Sequence, residues 1–245
     1  MIVSLVTVIY EPDWSVTGRI LAQALSALEQ FALPFAREER ISLAKMLFAT
    51  RQNLQTTSKD ALDTCNLSGE LLIIDNSPSP TVESQQLAAT DARVHHLWND
   101  GYNIYIGGGL TKAVEQATGD SFVYLCASHG IQNDPTWLKD LIAPLVDPQV
   151  GLAGHIHPCE FNRVAAVPED IIQPEIHVQG GLWSSRTETL REIGFSHRFP
   201  FEFCDVDLSR RMLAAGYALA TVSSIVSVAG GTIPDPERYK YVHDY

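Results

Sequence analysis

Four short apolar runs, each cut off by polar or turn-forming residues, constrain this chain more than any other feature. IVSLVTVIY, residues 2–10, is rich in β-branched side chains and stops at Glu11-Pro12-Asp13. LLIID ends at Asp75 before the turn Asn76-Ser77-Pro78-Ser79-Pro80. Residues 93–98 run into Asn99-Asp100-Gly101, and FVYLC runs from Phe122 into Cys126-Ala127-Ser128-His129-Gly130. Short runs bounded in this way read as buried strands.

Helical patterns lie between them. From Val16 to Phe31 the apolar positions recur at spacings of three and four (Ile20, Leu21, Leu25, Leu28), with Asp13 placed to cap the first turn. A second helical stretch is expected at about 37–53, a short one near 82–89, and another opening at the loop NDGYNIYIGGG and ending near Thr118-Gly119-Asp120. Strand and helix in alternation predict an α/β fold with a mostly parallel, Rossmann-like sheet and helices on both faces. In such sheets ligands bind beyond the carboxyl ends of the strands. That rule gathers Tyr10, Glu11, Asp75, Asn76, Ser128 and His129 on one rim.

The second half is less regular. VGLAGHIH reads as a strand, residues 158–175 as a Pro-containing excursion, and HVQGGLWSSR as a strand or bend ahead of the helical TETLREIG. FEFCDVDLSRRMLAAGYALATVSSIVSVAGG reads as a helix with an acidic start, a stop at Gly216 and a final strand. With no linker in view, the chain is expected to be a single domain, 1–245. It would have a nucleotide-binding half to about residue 130, carrying a helical insertion at 31–68, and an acceptor half from 131.

A composition of 45% hydrophobic and 19% charged residues is that of a compact protein. The formal net charge of -12 would repel a phosphate backbone, so nucleic acid is excluded as a partner. No apolar run approaches the ~20 residues of a membrane span, and the first residues lack a basic signal-peptide start. The expectation is a cytoplasmic protein with room for peripheral association at the inner face of the membrane. Cys65, Cys126, Cys159 and Cys204 lie far apart without zinc-ligand spacing and read as reduced thiols.

Several residue groups carry chemistry. Ser128-His129 lacks the first glycine of a G-x-S-x-G turn, and adjacent side chains on an extended backbone face opposite ways, which argues against a nucleophile and its base. Gly107-Gly108-Gly109, with Asp75, Asn99 and Gly101, would let a ligand approach the backbone and the helix amides, although close helix packing accounts equally well for the glycines. Asp205 and Asp207 fall in the first turn of a helix, where carboxylates favour the dipole. The aromatic residues ahead of them (Phe199, Phe201, Phe203) would give Asp205 the apolar wall that suits a general base. His155 and His157 share a strand face, as metal ligands or as the polar side of a rim strand. Trp98, Trp137 and Trp183 read as core.

Taken in order, VSLVTVIY, LLIIDNSPSP, NDGYNIYIGGGLTKAVEQATGD, FVYLCASHGIQNDPTWLKDL, DPQVGLAG, TETLREIGF and FCDVDLSRRMLAAGYALATVSSIVSVAGG resemble the family 2 glycosyltransferases of the GT-A fold, in particular bacterial rhamnosyltransferase-like members. The resemblance covers nearly the whole chain outside the insertion. It implies transfer of a sugar, with inversion, from a UDP- or dTDP-linked nucleotide sugar to a hydroxyl of a glycan or lipid-linked acceptor in polysaccharide biosynthesis. It further implies that Tyr10, Glu11 and Asp75 hold the base and ribose, with Asn103 and Gly107 nearby, that Asp205 deprotonates the acceptor, and that Asp207 supports the helix start.

The chain departs from the family pattern in one corner. Where aspartates usually hold manganese or magnesium against the donor diphosphate it has Cys126 and Ser128, so no metal ligands are assigned. Cys204 replaces the glutamate of the usual Glu-Asp pair, and Ser227 or a neighbour replaces a histidine near the last strand. Three expectations follow. The first is a metal-independent transferase in which His129, Arg186 or another nearby cation neutralises the leaving diphosphate, with Ser128 among the donor-binding residues. The second is a transferase with other ligands drawn from His155, His157 and His177. The third is an inactive relative that binds a nucleotide sugar, a glycan or a partner protein.

Overall fold

β1 (Ile2–Ile9) lies near the middle of a seven-stranded sheet with the order β3-β2-β1-β4-β7-β6-β8. The computed structural model describes residues 2–32, 68–131, 137–158, 176–201, 203–222 and 227–229. The expected helix at 37–53, most of the 31–68 insertion and the excursion at 159–175 lie outside them. β1 pairs in parallel with β2 (Ser68–Asp75) on one side and β4 (Ser121–Leu125) on the other, and β3 (Val94–Trp98) adds in parallel to β2. Strand order therefore reverses between β1 and β4, which opens a crevice at their carboxyl ends.

Both faces of this sheet are covered, which is why its strands are apolar almost throughout. Leu71 and Ile73 point to one face, with Val3, Leu5 and Ile9, and meet Ile20, Leu21 and Leu28 of α1 (Trp14–Ala32). Leu72 and Ile74 point to the other, with Val6, and meet Leu110 and Val114 of α3 (Tyr105–Gln116). The period of two in the strands and of 3.6 in the helices is thus expressed directly in the two core layers. Asp13 caps α1 as expected, its Oδ1 accepting the Ser15 N–H at 3.0 Å and the Ser15 hydroxyl at 2.7 Å. α2 (Val82–Thr90) carries the chain from β2 to β3.

The second half is inserted against the parallel direction. β7 (Ile176–Arg186) runs antiparallel to both β4 and β6 (Val150–Pro158), and β8 (Ala218–Thr221) pairs in parallel with β6. The sheet is mixed but mostly parallel, as the sequence leads one to expect. Trp183 on β7 stacks on Phe122 at 5.8 Å and contacts Tyr124 at 5.5 Å, so it is core, as is Trp137 in α4 (Trp137–Ile142). The expected single final strand is two: β9 (Ser227–Ala229) leaves the sheet and pairs with β5 (His129–Ile131) as a separate antiparallel ribbon. α5 (Thr187–Ile193) and α6 (Cys204–Ala214) complete the second half, and Gly216, at φ +88°, stops the chain after α6.

One irregularity places the site. Gly154 pairs with Trp183 but Ile156 with Val178, so residues 179–182 of β7 bulge out of the ladder. Two glycines, Gly180 and Gly181, lie in that bulge. It sits beyond the carboxyl end of β4, since Leu182 pairs with Leu125, the last residue of that strand.

Candidate active site

The carboxyl ends of β1, β2 and β3 are stitched into one surface by backbone hydrogen bonds. Asn76 N–H donates to Ile9 C=O at 2.9 Å, Asn99 N–H to Asp75 C=O at 3.0 Å, and Glu11 N–H to the Ser77 hydroxyl at 2.9 Å. Tyr10 and Glu11 are exposed there. Asp75 is not: it is fully buried beneath the turn that follows it, accepting the Ser77 N–H at 3.0 Å and the Thr81 N–H at 2.7 Å, with His96 Nε2 at 2.9 Å. Burial pushes its carboxyl up, but the hydrogen bonds from Thr81, His96 and Ser77 outweigh burial and hold it below the usual carboxylate range. In this arrangement Asp75 shapes the loop that a ligand would meet.

Asn103 and the glycine run are placed by packing. The Asn103 carbonyl oxygen Oδ1 accepts the Tyr105 N–H at 2.9 Å. Gly107 is buried against the 199–200 backbone, where a Cβ would come within 3.2 Å of Phe199 C=O, and its N–H donates to Pro200 C=O at 2.7 Å. A Cβ on Gly109 would fall within 2.8 Å of Val8. These glycines let α3 lie close on β1 and on the 199–201 loop, so Gly107 reaches the site through what it packs.

Cys126 and Ser128 follow β4. The Cys126 N–H donates to Gly181 C=O at 2.9 Å, tying the end of β4 to the β7 bulge, and its Sγ lies 3.2 Å from the Ser128 hydroxyl. Tyr124 is buried just below; burial pushes its phenol well up, and Cys126, Cys204 and Asp205 add in the same direction. One buried phenol is therefore bordered by both thiols and the carboxylate. The described residues of β5 include the His129 backbone, paired with Ala229.

Asp205 meets the other side of the bulge. Its Oδ2 would lie 2.9 Å from a Cβ on Gly180, so only glycine leaves room for the carboxylate at that point. Hydrogen bonds from the Val206 N–H (2.9 Å) and the Gly180 N–H hold it there. Burial raises its pKa above the usual carboxylate range, opposed by the nearby charge of His177 and by these hydrogen bonds. A half-buried carboxylate with a raised pKa, on the rim of a crevice, has the character of a proton acceptor. Asp207 turns inward, with Arg210 at 3.6 Å and Arg211 at 4.0 Å on its own helix, and its N–H donates to Phe203 C=O at 2.8 Å.

Arg186 does not join this group. Because β7 is antiparallel, Arg186 pairs with Ser121 at the start of β4, at the opposite end of the sheet. Its guanidinium donates to the carbonyls of Leu145, Asp147, Pro148 and Val150 at 2.8 to 3.1 Å. The expectation that Arg186 meets a leaving diphosphate is corrected by this placement.

Two rim residues, Lys112 and Tyr105, carried no expectation from the sequence. A relay of donors runs from Lys112 Nζ to Asn99 Oδ1, from Asn99 Nδ2 to Asn76 Oδ1, and from Asn76 Nδ2 to Tyr105 C=O at 3.0 Å. Its end point, Tyr105, has φ +57°, a left-handed conformation that costs a residue with a Cβ roughly 1 to 3 kcal/mol. The available signal was the NDGYN segment, whose Asn, Asp and Gly residues favour such backbones.

No protein-family model and no curated protein matches this sequence. Solved structures do match in fold. The mannosyltransferase PcManGT from Pyrobaculum calidifontis, in complex with GDP-Man and Mn2+, superposes with a TM-score of 0.61 at 17% identity, covering 98% of this chain. Glucosyl-3-phosphoglycerate synthase from Mycobacterium tuberculosis, in complex with Mg2+ and UDP, gives 0.56 at 12% over 94% of this chain and 72% of its own. TarS 1-349 from S. aureus gives 0.55 at 13% over 93% of this chain. The chain spans 59% of the length of the mannosyltransferase and of TarS 1-349. The fold is that of the GT-A glycosyltransferases.

Proposed function

We propose that this chain is a glycosyltransferase that moves a sugar, with inversion, from a nucleotide-sugar donor to a hydroxyl of a glycan or lipid-linked acceptor. The observation that carries the reading is Asp205, a carboxylate of raised pKa seated on the Gly180 N–H at the carboxyl rim. In the proposed step Asp205 takes the proton of the acceptor hydroxyl as the oxygen bonds to the anomeric carbon. The carbon–oxygen bond to the nucleoside diphosphate breaks from the opposite face, and the diphosphate leaves with the electron pair. Tyr10 and Glu11 lie where they would meet the nucleoside, above a loop held by Asp75. Fold neighbours crystallised with GDP-Man or UDP support a nucleotide sugar as donor.

Those neighbours also carry Mn2+ or Mg2+. Here the residues that follow β4 are a thiol and a hydroxyl in contact with each other, and the described residues contain no group of three or more His, Cys, Asp or Glu suited to a metal. A hard divalent cation wants carboxylate and carbonyl oxygens, so this corner does not fit one. In our reading the Ser128 hydroxyl and neighbouring donors meet the diphosphate, with no step through a metal. Among the described residues no helix is long and apolar enough to cross a membrane; we propose a cytoplasmic setting, with an acceptor presented at the membrane face.

The test pairs binding with turnover. Calorimetric titration with UDP, dTDP and GDP, each with EDTA and again with manganese, should show binding that ignores EDTA. Asp205→Asn should leave that affinity within about two-fold and lower transfer by about 10²- to 10⁴-fold. Binding that needs manganese would remove the metal-free reading, and retained turnover would remove Asp205 as the base. A second reading, a non-catalytic binding domain, is favoured by Cys126, Ser128 and Cys204 standing where acids are expected. It predicts nucleotide binding with no transfer by the wild type to any acceptor.

A further inference from the structure

Tyr105 combines three properties that pull against one another. Its backbone has φ +57°, where glycine sits freely and a Cβ is strained. Both of its backbone polar groups are pinned in that state, the N–H by Asn103 Oδ1 at 2.9 Å and the C=O by Asn76 Nδ2 at 3.0 Å, with Asn99 and Lys112 bracing Asn76 from behind. The residue, however, stays 40% exposed, and its ring meets Phe201 edge-on, with centroids 6.3 Å apart and an angle of 69°. A chain that needed only the turn would place glycine here. One that needed only apolar burial would turn the ring into the core. A strained backbone braced by side chains to hold an aromatic ring in the open is the mark of a ring that meets a ligand.

The surroundings define the ligand. Tyr102, 74% exposed, stands on the same loop. The 199–201 loop that carries Phe201 is fixed to the base of Tyr105 by the Gly107 N–H bond to Pro200 C=O, and it leads through Phe203, itself at φ +61°, into Cys204 and Asp205. Phe201 stands four residues ahead of Asp205, so in the transferase reading a ring lying on Tyr105 and Phe201 is a short stretch of chain from the base. Asp100 lies on the Tyr105 loop and Asp205 follows the Phe201 loop; of the cations of these segments, Lys112 is engaged by Asn99 Oδ1 and Trp98 C=O, and Arg198 lies over the Phe199 ring at 5.8 Å. Aromatic faces with a phenol at the edge and carboxylates nearby suit a neutral, polyhydroxylated ring: its C–H face stacks while its hydroxyls find acceptors.

We infer that Tyr105 and Phe201, flanked by Tyr102, form a stacking platform for a neutral pyranose ring of the acceptor. The inference rests on the transferase reading. The platform selects acceptors by the shape of the sugar unit beside the attacking hydroxyl.

The test is saturation-transfer NMR on the full chain with methyl glycosides of glucose, galactose, mannose, N-acetylglucosamine and rhamnose, each with UDP or GDP present. The decisive variant is Tyr105→Gly, because glycine suits φ +57° and should fold at least as well. It should abolish saturation transfer to the pyranoside, leave the nucleotide Kd within about two-fold, and raise Tm by about a few degrees as the strain is relieved. Phe201→Ala should weaken the pyranoside signal without the gain in Tm. Unchanged pyranoside binding in Tyr105→Gly overturns the platform. A loss of about tenfold or more in nucleotide affinity overturns it in favour of a base-stacking role. A wild type that binds nucleotide but none of the glycosides also overturns it while leaving the transferase reading intact, whereas a wild type that binds neither sinks that reading as well.

Discussion

The two ends of the sheet are built from the same strands and are organised in opposite ways. At the amino end the buried polar groups satisfy one another. The Ser4 hydroxyl donates to Glu70 at 2.5 Å and accepts the Gly119 N–H at 2.9 Å, Glu70 accepts the Thr118 N–H at 2.7 Å, and the Thr187 hydroxyl donates to Gly119 C=O at 2.6 Å. Arg186 spends its guanidinium on four backbone carbonyls. At the carboxyl end lie all the non-glycine residues of positive φ among the described residues, namely Glu11, Asp100, Tyr105 and Phe203, together with exposed tyrosines and a carboxylate of raised pKa. One end is relaxed and closed, the other strained and open. Departures from local preference gathered at one end of an α/β sheet point to the end where ligands bind.

The widest separation is expected at Asp205. Its pKa in the folded state is raised, so its contribution to stability is present below the ordinary carboxylate value, about 4, and is lost as pH rises through the folded value. Asp205→Asn should therefore raise Tm at pH 7 while lowering transfer by about 10²- to 10⁴-fold, and the gain in Tm should vanish near pH 4 and below. Thermal melts across that range check it; a variant less stable than wild type at pH 7 would place Asp205 with the relaxed end. Arg186→Met should do the reverse. Removing donors from four carbonyls should cost about 3 kcal/mol in urea unfolding and leave nucleotide affinity unchanged. A shift in affinity would break the division between the two ends.

How much of this was legible in the sequence follows from what each feature depends on. β1, β2 and β4 could be read directly because strands buried on both faces must be apolar almost throughout, and IVSLVTVI, LLIID and SFVYL are. The direction of β7 could not, since HVQGGLWSSR carries no mark of being antiparallel, and that direction alone moves Arg186 from the rim to the opposite end. The split of the last strand into β8 and β9 depends on β5, nearly a hundred residues away in the chain. The glycine run drew attention as a ligand loop, whereas Gly107 and Gly109 serve packing. Tyr105 escaped notice because its backbone angle is held by Asn76 and Asn103, and the sequence hints at it only through the Asn, Asp and Gly of the preceding NDGYN segment.

Asp75 tests the boundary between the two kinds of region, for it stands at the rim yet is wholly satisfied. Its pKa is depressed, so its contribution to stability is present above the ordinary carboxylate value and is lost as pH falls through the folded value, below about pH 4. Asp75→Asn would set an amide donor against one of the N–H groups it now accepts. We expect a loss of about 1 to 3 kcal/mol at pH 7, a flatter acid limb in the unfolding profile, and weaker nucleotide binding as the 76–81 turn loosens. Lost stability with unchanged nucleotide affinity would assign Asp75 to the scaffold alone.

The smallest effect is expected at Glu11, and it bears most directly on whether the rim is strained. Glu11 has φ +40° and its N–H is fixed to the Ser77 hydroxyl, so its backbone is held in the left-handed region by the same loop that buries Asp75. Glycine at this position relieves Cβ strain of roughly 1 to 3 kcal/mol but adds freedom to the unfolded chain that offsets about 0.4 to 1 kcal/mol of it. Glu11→Gly should thus differ from the wild type by about 1 kcal/mol on the stabilising side, whereas Glu11→Ala keeps the Cβ and removes only the carboxylate. Comparing the two in the same denaturant series separates backbone from side chain. If Glu11→Gly is the more stable of the pair, the rim holds its glutamate against the preference of its own backbone, as it holds Tyr105. If Glu11→Ala is the more stable, Glu11 sits in a turn that tolerates a side chain, and the strained end of the sheet contracts to the Asp100–Tyr105 loop and Phe203.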